Sequence, residues 1–184
     1  MQKKVLAVIA DGFEEVEAVT PIDLLRRAGI KVTVAGLDDL QITGAHGITI
    51  VADVKFNAVN EHFDALVLHG GNPGAQNLAA SSELKTAIAS FFNGGKIVAA
   101  ICASPALVLA PAGILKEKKA CCFPGLEGNF EPSTKVSYEP VVVDGNVITS
   151  RGVGTAHAFG LAIIESLSGK EIKDKIAKAT LFEE

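Results

Sequence analysis

Cys102 is the residue best placed for chemistry, at a point where a buried strand should turn into a helix. It lies in Ala99-Ala100-Ile101-Cys102-Ala103-Ser104-Pro105. Small residues flank it, Ser104 is a good N-cap and Pro105 a good first helical residue, so the spacing predicts a helix beginning just past the thiol. The unpaired amides and positive end of such a helix would favour thiolate over thiol. A sharp strand-to-helix turn would push the side chain out of the sheet, as in a nucleophile elbow, although the residues do not spell G-x-S-x-G. A thiolate held this way can add to a carbonyl carbon or be oxidised. The plainer alternative is a buried structural cysteine, the usual fate of a free thiol. Cys121 and Cys122 follow Lys118-Lys119-Ala120 with no helix start nearby and read as structural strand or loop thiols.

A carboxylate partner is available upstream. Glu14, Glu15 and Glu17 crowd the first turn of a predicted helix, where acids are favoured in any case. Glu17 stands out because Pro21, four residues on, has no amide hydrogen, so the Glu17 carbonyl loses its helical partner and a kink is expected. An acid on an irregular helix near strand ends can serve as a general acid or base if burial raises its pKa. His69-Gly70-Gly71-Asn72-Pro73-Gly74 leaves another strand, and its glycines expose amides that can meet an oxyanion or simply form a tight turn. It is not a phosphate loop. His69 is a weak candidate base beside that loop. His46 lies in a loop that could reach a rim or a partner subunit, His62 precedes a strand, and His157 lies on a late helix. Surface placement is the default for these three.

The elements that must position these groups alternate along the chain. Val5–Ile9, Lys31–Ala35, Ala65–Leu68 and Lys96–Ile101 are apolar strands, the continuous runs expected of strands buried on both faces. Helices are predicted over 14–28, with Val16, Val19, Ile22 and Leu25 as its apolar row, over Ser82–Phe92, over 155–168 and near 171–179. Ile48–Val51 reads as an accessory strand, and Val141–Val143 and Val147–Thr149 as a hairpin about Asp144-Gly145. The alternation implies an α/β fold with a mostly parallel central sheet covered on both faces, in a single domain over 1–184. Ligands in such sheets gather outside the carboxyl ends of the strands, where 10–17, 69–74 and 102–105 fall.

Composition narrows the function classes. Of 184 residues 48% are hydrophobic, enough for a sizeable core, and the formal net charge is −4, with no basic run to suggest a nucleic-acid surface. No apolar run reaches the ~18 residues of a membrane span. The N-terminal MQKKVLAVIADGF reads as a first strand rather than a leader. Three cysteines, two adjacent, make no disulfide framework, and no Cys/His spacing suits zinc. A cytoplasmic protein with reduced thiols is the simplest reading.

Together these segments resemble the ThiJ/PfpI family (the DJ-one superfamily) through almost the whole chain. The resemblance is carried by Asp11-Gly12-Phe13-Glu14-Glu15-Val16-Glu17, by Pro21 to Ile30, and by Gly70-Gly71-Asn72-Pro73-Gly74-Ala75-Gln76-Asn77-Leu78. Residues 99–105 and Thr149-Ser150-Arg151-Gly152-Val153-Gly154-Thr155 complete it. Its spacing is most similar to the human DJ-one-like and bacterial YajL/ThiJ-like subgroup. The resemblance implies a flavodoxin-like sandwich that forms a homodimer. It implies an oxidation-sensitive nucleophile at Cys102, a protonated partner at Glu17, and oxyanion donors at Gly70, Gly71 and the Ala103 amide. Protease-like members carry a histidine directly after the cysteine, where this chain has Ala103. Human-like members carry a histidine before a proline where this chain has Phe123, and an arginine where it has His46, so both positions are possible rim residues of altered character. The implied activities are a glutathione-independent glyoxalase or deglycase acting on small aldehydes or glycated adducts, a redox-sensing chaperone with Cys102 as sulfinate, or a peptidase-like hydrolase. None requires a metal or organic cofactor.

Overall fold

The computed structural model describes residues 2–182. The strands are β1 (Lys4–Ile9), β2 (Lys31–Gly36), β3 (Gln41–Thr43), β4 (Thr49–Val51), β5 (Val54–Lys55), β6 (Ala65–Leu68), β7 (Ile97–Ile101), β8 (Lys119–Ala120), β9 (Lys135–Val136), β10 (Val141–Asp144) and β11 (Val147–Ser150). The α-helices are α1 (Glu15–Arg27), α2 (Gly74–Ala80), α3 (Ser82–Asn93), α4 (Ala156–Ser168) and α5 (Lys170–Ala179).

Seven strands form one sheet in the order β10-β11-β7-β6-β1-β2-β5. Every pairing in it is parallel except β10 with β11, which makes the expected hairpin. This is the α/β, flavodoxin-like sandwich expected from the apolar strands. Along β1 the side chains divide by alternation. Val5, Ala7 and Ile9 join one apolar layer with residues of α1, α4 and α5, whereas Leu6 and Val8 join a second with residues of α2 and α3. Both faces are covered, so the strands tolerate continuous hydrophobic sequence. The Ile48–Val51 strand is β4, paired antiparallel with β3 as a separate hairpin.

The apolar row expected on α1 is half wrong. Ile22 and Leu25 are buried, but Val16 and Val19 are 45% and 48% exposed. The buried side instead carries Glu15, Glu17, Ala18, Pro21, Ile22, Leu24 and Leu25. A Cβ at Gly160 of α4 would lie 2.8 Å from Leu24 Cδ1 and 3.1 Å from Pro21 Cα, so α1 and α4 cross at close range there. That contact sets the rotation of α1 and turns Glu17 toward the sheet.

Candidate active site

From β1 the sheet grows to β2 and β5 on one side and to β6, β7 and β11 on the other. The winding reverses between β1 and β6, which opens a crevice at their carboxyl ends. Two loops meet there. The Glu14 N–H donates to Gly70 O at 3.1 Å and the Gly74 N–H to Gly12 O at 3.1 Å. Gly71 has φ +100°, and a Cβ on it would lie 2.2 Å from Gly12 O, so only glycine lets these loops touch.

Cys102 follows β7 beside this crevice, half-buried and with φ +65°. A non-glycine residue in that region costs on the order of 1–2 kcal/mol. Neighbours hold it there: its N–H donates to Ser150 O at 2.9 Å and its carbonyl accepts from the Phe123 N–H at 2.7 Å. The turn is as sharp as an elbow requires, but the segment beyond it is not a regular α-helix. Ser104 is itself helical and caps nothing; its hydroxyl donates to His69 O at 2.6 Å. The chain then makes one π-helical turn, Pro105–Leu109, in which the Ala110 N–H bonds Pro105 O at 3.0 Å. The hydroxyl is drawn across to the neighbouring strand end, and the cap is lost.

Glu17 has no exposed surface. Its Oε2 accepts from the Gly70 N–H at 3.2 Å, and its carboxyl hydrogen-bonds the Cys102 thiol. A Cβ on Gly70 would lie 2.5 Å from Glu17 Oε2, 2.5 Å from Cys102 Cβ and 2.9 Å from Cys102 Sγ, so acid and thiol pack on the same glycine. Burial, helped by the Glu14 charge, pushes the Glu17 carboxyl up to about 7 against the pull of the Cys102 and Gly70 hydrogen bonds. Burial and then the Glu17 carboxylate push the thiol up to about 12, although the Gly71 and Ala103 amides pull it down. Two influences oppose each other at the sulfur: the amides of the turn favour the thiolate, while desolvation and the neighbouring carboxylate favour the thiol. The Gly71 and Ala103 amides meet the sulfur. The Gly70 amide, expected at the oxyanion, is instead engaged by Glu17.

The second carboxyl oxygen, Glu17 Oε1, is buried without a hydrogen-bond partner among the described residues. It faces the side of Gly152 and Phe123: a Cβ on Gly152 would lie 3.7 Å from Oε1 and 3.5 Å from Phe123 Cδ2. Phe123, 49% exposed, thus walls this edge of the site with an apolar ring.

The carbonyl that Pro21 leaves without a helical partner is satisfied from outside the helix. His69 Nδ1 lies 3.0 Å from Glu17 O. His69 is fully buried, and burial pushes its imidazole down to about 4. This tie escaped the sequence reading, although Pro21 signalled that some donor was needed.

His46 lies in the turn between β3 and β4. Its N–H donates to Glu15 Oε1 at 2.7 Å, its Nδ1 lies 2.9 Å from Glu15 Oε2, and Glu14 Oε2 is 3.5 Å away. Desolvation raises the Glu15 carboxyl, but the His46 ring and the His46 and Ile48 amides outweigh it and hold the group at about 2. Glu15 has little accessible surface because the β3–β4 turn closes over it: Gly44 packs on its carboxyl, the His46 and Ile48 amides donate to its Oε1, and the His46 ring lies beside its Oε2. Potential metal-ligand atoms of Glu14, Glu15 and His46 lie within 4.8 Å of one another, though those of Glu15 already have partners. His62 is exposed, while His157 is partly covered, stacked on Phe182 with ring centroids 4.3 Å apart. Cys121 and Cys122 are buried, and Thr149 Oγ1 meets the Cys121 N–H at 3.0 Å.

An α/β sheet with a strained cysteine at one strand end and a buried acid against it defines a class of cysteine-centred sandwich proteins. Residues 3–166 match the DJ-1/PfpI family, and the chain belongs to it. It is similar to "Protein DJ-1 homolog B" of Arabidopsis thaliana, at 42% identity over 180 residues, covering 97% of this chain and 41% of that protein. The chain thus spans under half the length of that relative. It is 34% identical over 179 residues to "Glutathione-independent glyoxalase DJR-1.2" of Caenorhabditis elegans, covering 96% and 95% of the two. The solved structure "Toxoplasma gondii DJ-1, oxidized" superposes with a TM-score of 0.95 at 38% identity, covering 99% of this chain and 100% of that one. Among the described residues no helix is long and apolar enough to cross a membrane.

Proposed function

We propose that this chain is a cysteine-dependent, cofactor-independent enzyme that converts small α-oxoaldehydes such as methylglyoxal to hydroxy acids such as lactate. The observation that carries the reading is the packing of the Glu17 carboxyl and the Cys102 sulfur on one glycine, with the Gly71 and Ala103 amides at the sulfur. Above about pH 7 the pair holds one proton between them. As the sulfur attacks the aldehyde carbon, that proton resides on Glu17 and the negative charge moves to the aldehyde oxygen. Amides near the sulfur stabilise this oxygen, and Glu17 protonates it to complete the hemithioacetal. Glu17, again a carboxylate, takes the proton from the former aldehyde carbon and returns it to the adjacent carbon through an enediol, while the hydroxyl proton passes to the former ketone oxygen, leaving a lactoyl thioester. Water cleaves the thioester and restores the thiol. A base poised near neutrality suits both transfers. The glyoxalase name of the C. elegans relative favours the same substrate class. A deglycase would share the first steps on a hemithioaminal adduct.

The test is purified protein with methylglyoxal, no glutathione, and chiral detection of lactate. Cys102→Ser, folded, should lose turnover; lactate at the parental rate from that variant would end the proposal. We further place the chain in the human DJ-one-like and YajL/ThiJ-like subgroup, acting as one domain and as a homodimer, with the exposed Val16 and Val19 available to a second copy.

A second reading is a redox sensor with Cys102 as sulfinate. It is favoured by the contrast between the half-buried Cys102 and the buried Cys121 and Cys122, and by a buried acid able to donate to an oxidised sulfur. Mild peroxide should then add two oxygens to Cys102 alone, and oxidation spread over all three thiols would count against it. A peptidase would need a base at the sulfur. Position 103 is alanine, and the His69 Nδ1 is engaged by the Glu17 carbonyl.

A further inference from the structure

We propose that His69 is a positioning residue, which aims the Glu17 carboxyl at Cys102 by holding the Glu17 main-chain carbonyl that Pro21 leaves without a helical partner. The inference rests on the reading of Glu17 as the proton carrier for Cys102.

Three contacts converge on one short stretch. The His69 ring meets Glu17 O at 3.0 Å, the next amide, Gly70 N–H, meets Glu17 Oε2 at 3.2 Å, and the His69 carbonyl is itself held by the Ser104 hydroxyl at 2.6 Å. Residues 69 and 70 therefore grip Glu17 at both its main chain and its side chain, while Ser104, two residues from the thiol, anchors the grip to the Cys102 turn. Without the His69 bond, the helix at Glu17 keeps a buried carbonyl with no donor, and either the backbone shifts or water enters. Either change moves the carboxyl relative to a sulfur that is pinned separately through Ser150 and Phe123. A carbonyl accepts only, so Nδ1 must carry the hydrogen and Nε2 none. Nε2 is buried and has no partner among the described residues, so the ring's role here is the single Nδ1 donation. Burial keeps the ring neutral near pH 7, so its influence on Glu17 is geometric, whereas Glu14 is the neighbouring charge that raises Glu17.

The experiment compares His69→Ala, His69→Asn, Glu17→Gln, His69→Ala with Glu17→Gln, and His69→Ala with Pro21→Ala, each checked for folding by circular dichroism. Two quantities are read: the pH profile of Cys102 alkylation by iodoacetamide, followed by mass, and turnover of methylglyoxal. His69→Ala should move the alkylation midpoint by at least about one pH unit and lower kcat at least about tenfold, with KM changed less. His69→Asn, which keeps an N–H near the Nδ1 position, should recover most of both. Pro21→Ala should also recover them, because residue 21 then supplies the missing amide from within the helix. On top of Glu17→Gln, His69→Ala should add nothing. If His69→Ala fails to fold, the Asn variant and the Pro21→Ala combination decide by the same readouts. In the parent, nitrogen NMR should find His69 as the Nδ1–H tautomer at pH 7.

A full His69→Ala effect persisting in the Glu17→Gln background, absence of rescue by both partners, or an Nε2–H tautomer would overturn the assignment. An effective Glu17→Gln with a silent His69→Ala overturns this inference alone. A silent Glu17→Gln overturns the proton-carrier reading and this inference with it.

Discussion

Replacing Glu17 with glutamine should stabilise the protein, and only above a defined pH. In the native site the carboxyl must ionise in a dry environment against the Glu14 charge, which raises it from 4.5 to about 7. A carboxyl whose folded value exceeds its unfolded value favours folding while protonated. That stability is fully present below about pH 4.5 and is lost as the pH rises through about 7. At about 1.4 kcal/mol per pH unit, the loss comes to about 3 kcal/mol at pH 8. Glutamine keeps the shape and an acceptor for the Gly70 N–H but cannot ionise. The difference in unfolding free energy between Glu17→Gln and parent should therefore be constant below pH 4.5, grow by about 3 kcal/mol between 4.5 and 7, and then level off. For a chain of this length that growth corresponds to roughly 6–12 °C in Tm. Urea titrations at fixed protein concentration from pH 4 to 8 measure it, and His69, present in both proteins, cancels. A difference that stays flat across this range would show that Glu17 is not ionising at a buried site, and the argument from burial would be wrong.

The same geometry sets other outcomes. Gly70→Ala forces a methyl against Cys102 and Glu17, so it should destabilise by about 1–3 kcal/mol and slow Cys102 alkylation. Parental rates in a calorimetrically normal variant would contradict that crowding. Iodoacetamide should modify Cys102 well before the buried Cys121 and Cys122, and a mass map showing equal labelling would refute the burial difference. His46→Ala should let the Glu15 carboxyl rise from about 2, because the ring and its loop amides hold it down. Carbon NMR of the glutamate side chains reads this directly, and an unmoved Glu15 titration would show that the ring contributes nothing. In the parent, proton NMR should find His46 titrating above an ordinary imidazole, since the Glu15 hydrogen bond and the Glu14 and Glu15 charges favour its protonated form.

Much of the site is legible in the residues themselves. The run Ala99–Ile101 ending at Cys102 marks a buried strand that must turn, and Pro21 four residues past Glu17 marks a helix with a carbonyl to satisfy. Val5–Ile9 and Ala65–Leu68 announce strands covered on both faces. The misjudged row on α1 shows where such reading stops. Val16 and Val19 share a spacing with Ile22 and Leu25, but periodicity identifies residues on one side of a helix without saying how far the neighbouring helix rotates it. Gly160 packed on Pro21 and Leu24 decides that rotation. Ser104 shows the same limit. As a local signal it is a cap, but the His69 carbonyl, just past the adjacent strand, claims its hydroxyl.

Residue types and chain order were sufficient for the alternating elements and the parallel sheet, because these depend on local patterning and the geometry of short turns, and they marked Cys102 and Glu17 as candidates. The opposing pulls on the Cys102–Glu17 pair, the diversion of the Gly70 amide to Glu17 and the His69 tie all emerged from contacts between segments far apart in the chain. Burial and hydrogen bonding are properties of the packed neighbourhood, and no window of sequence contains that neighbourhood.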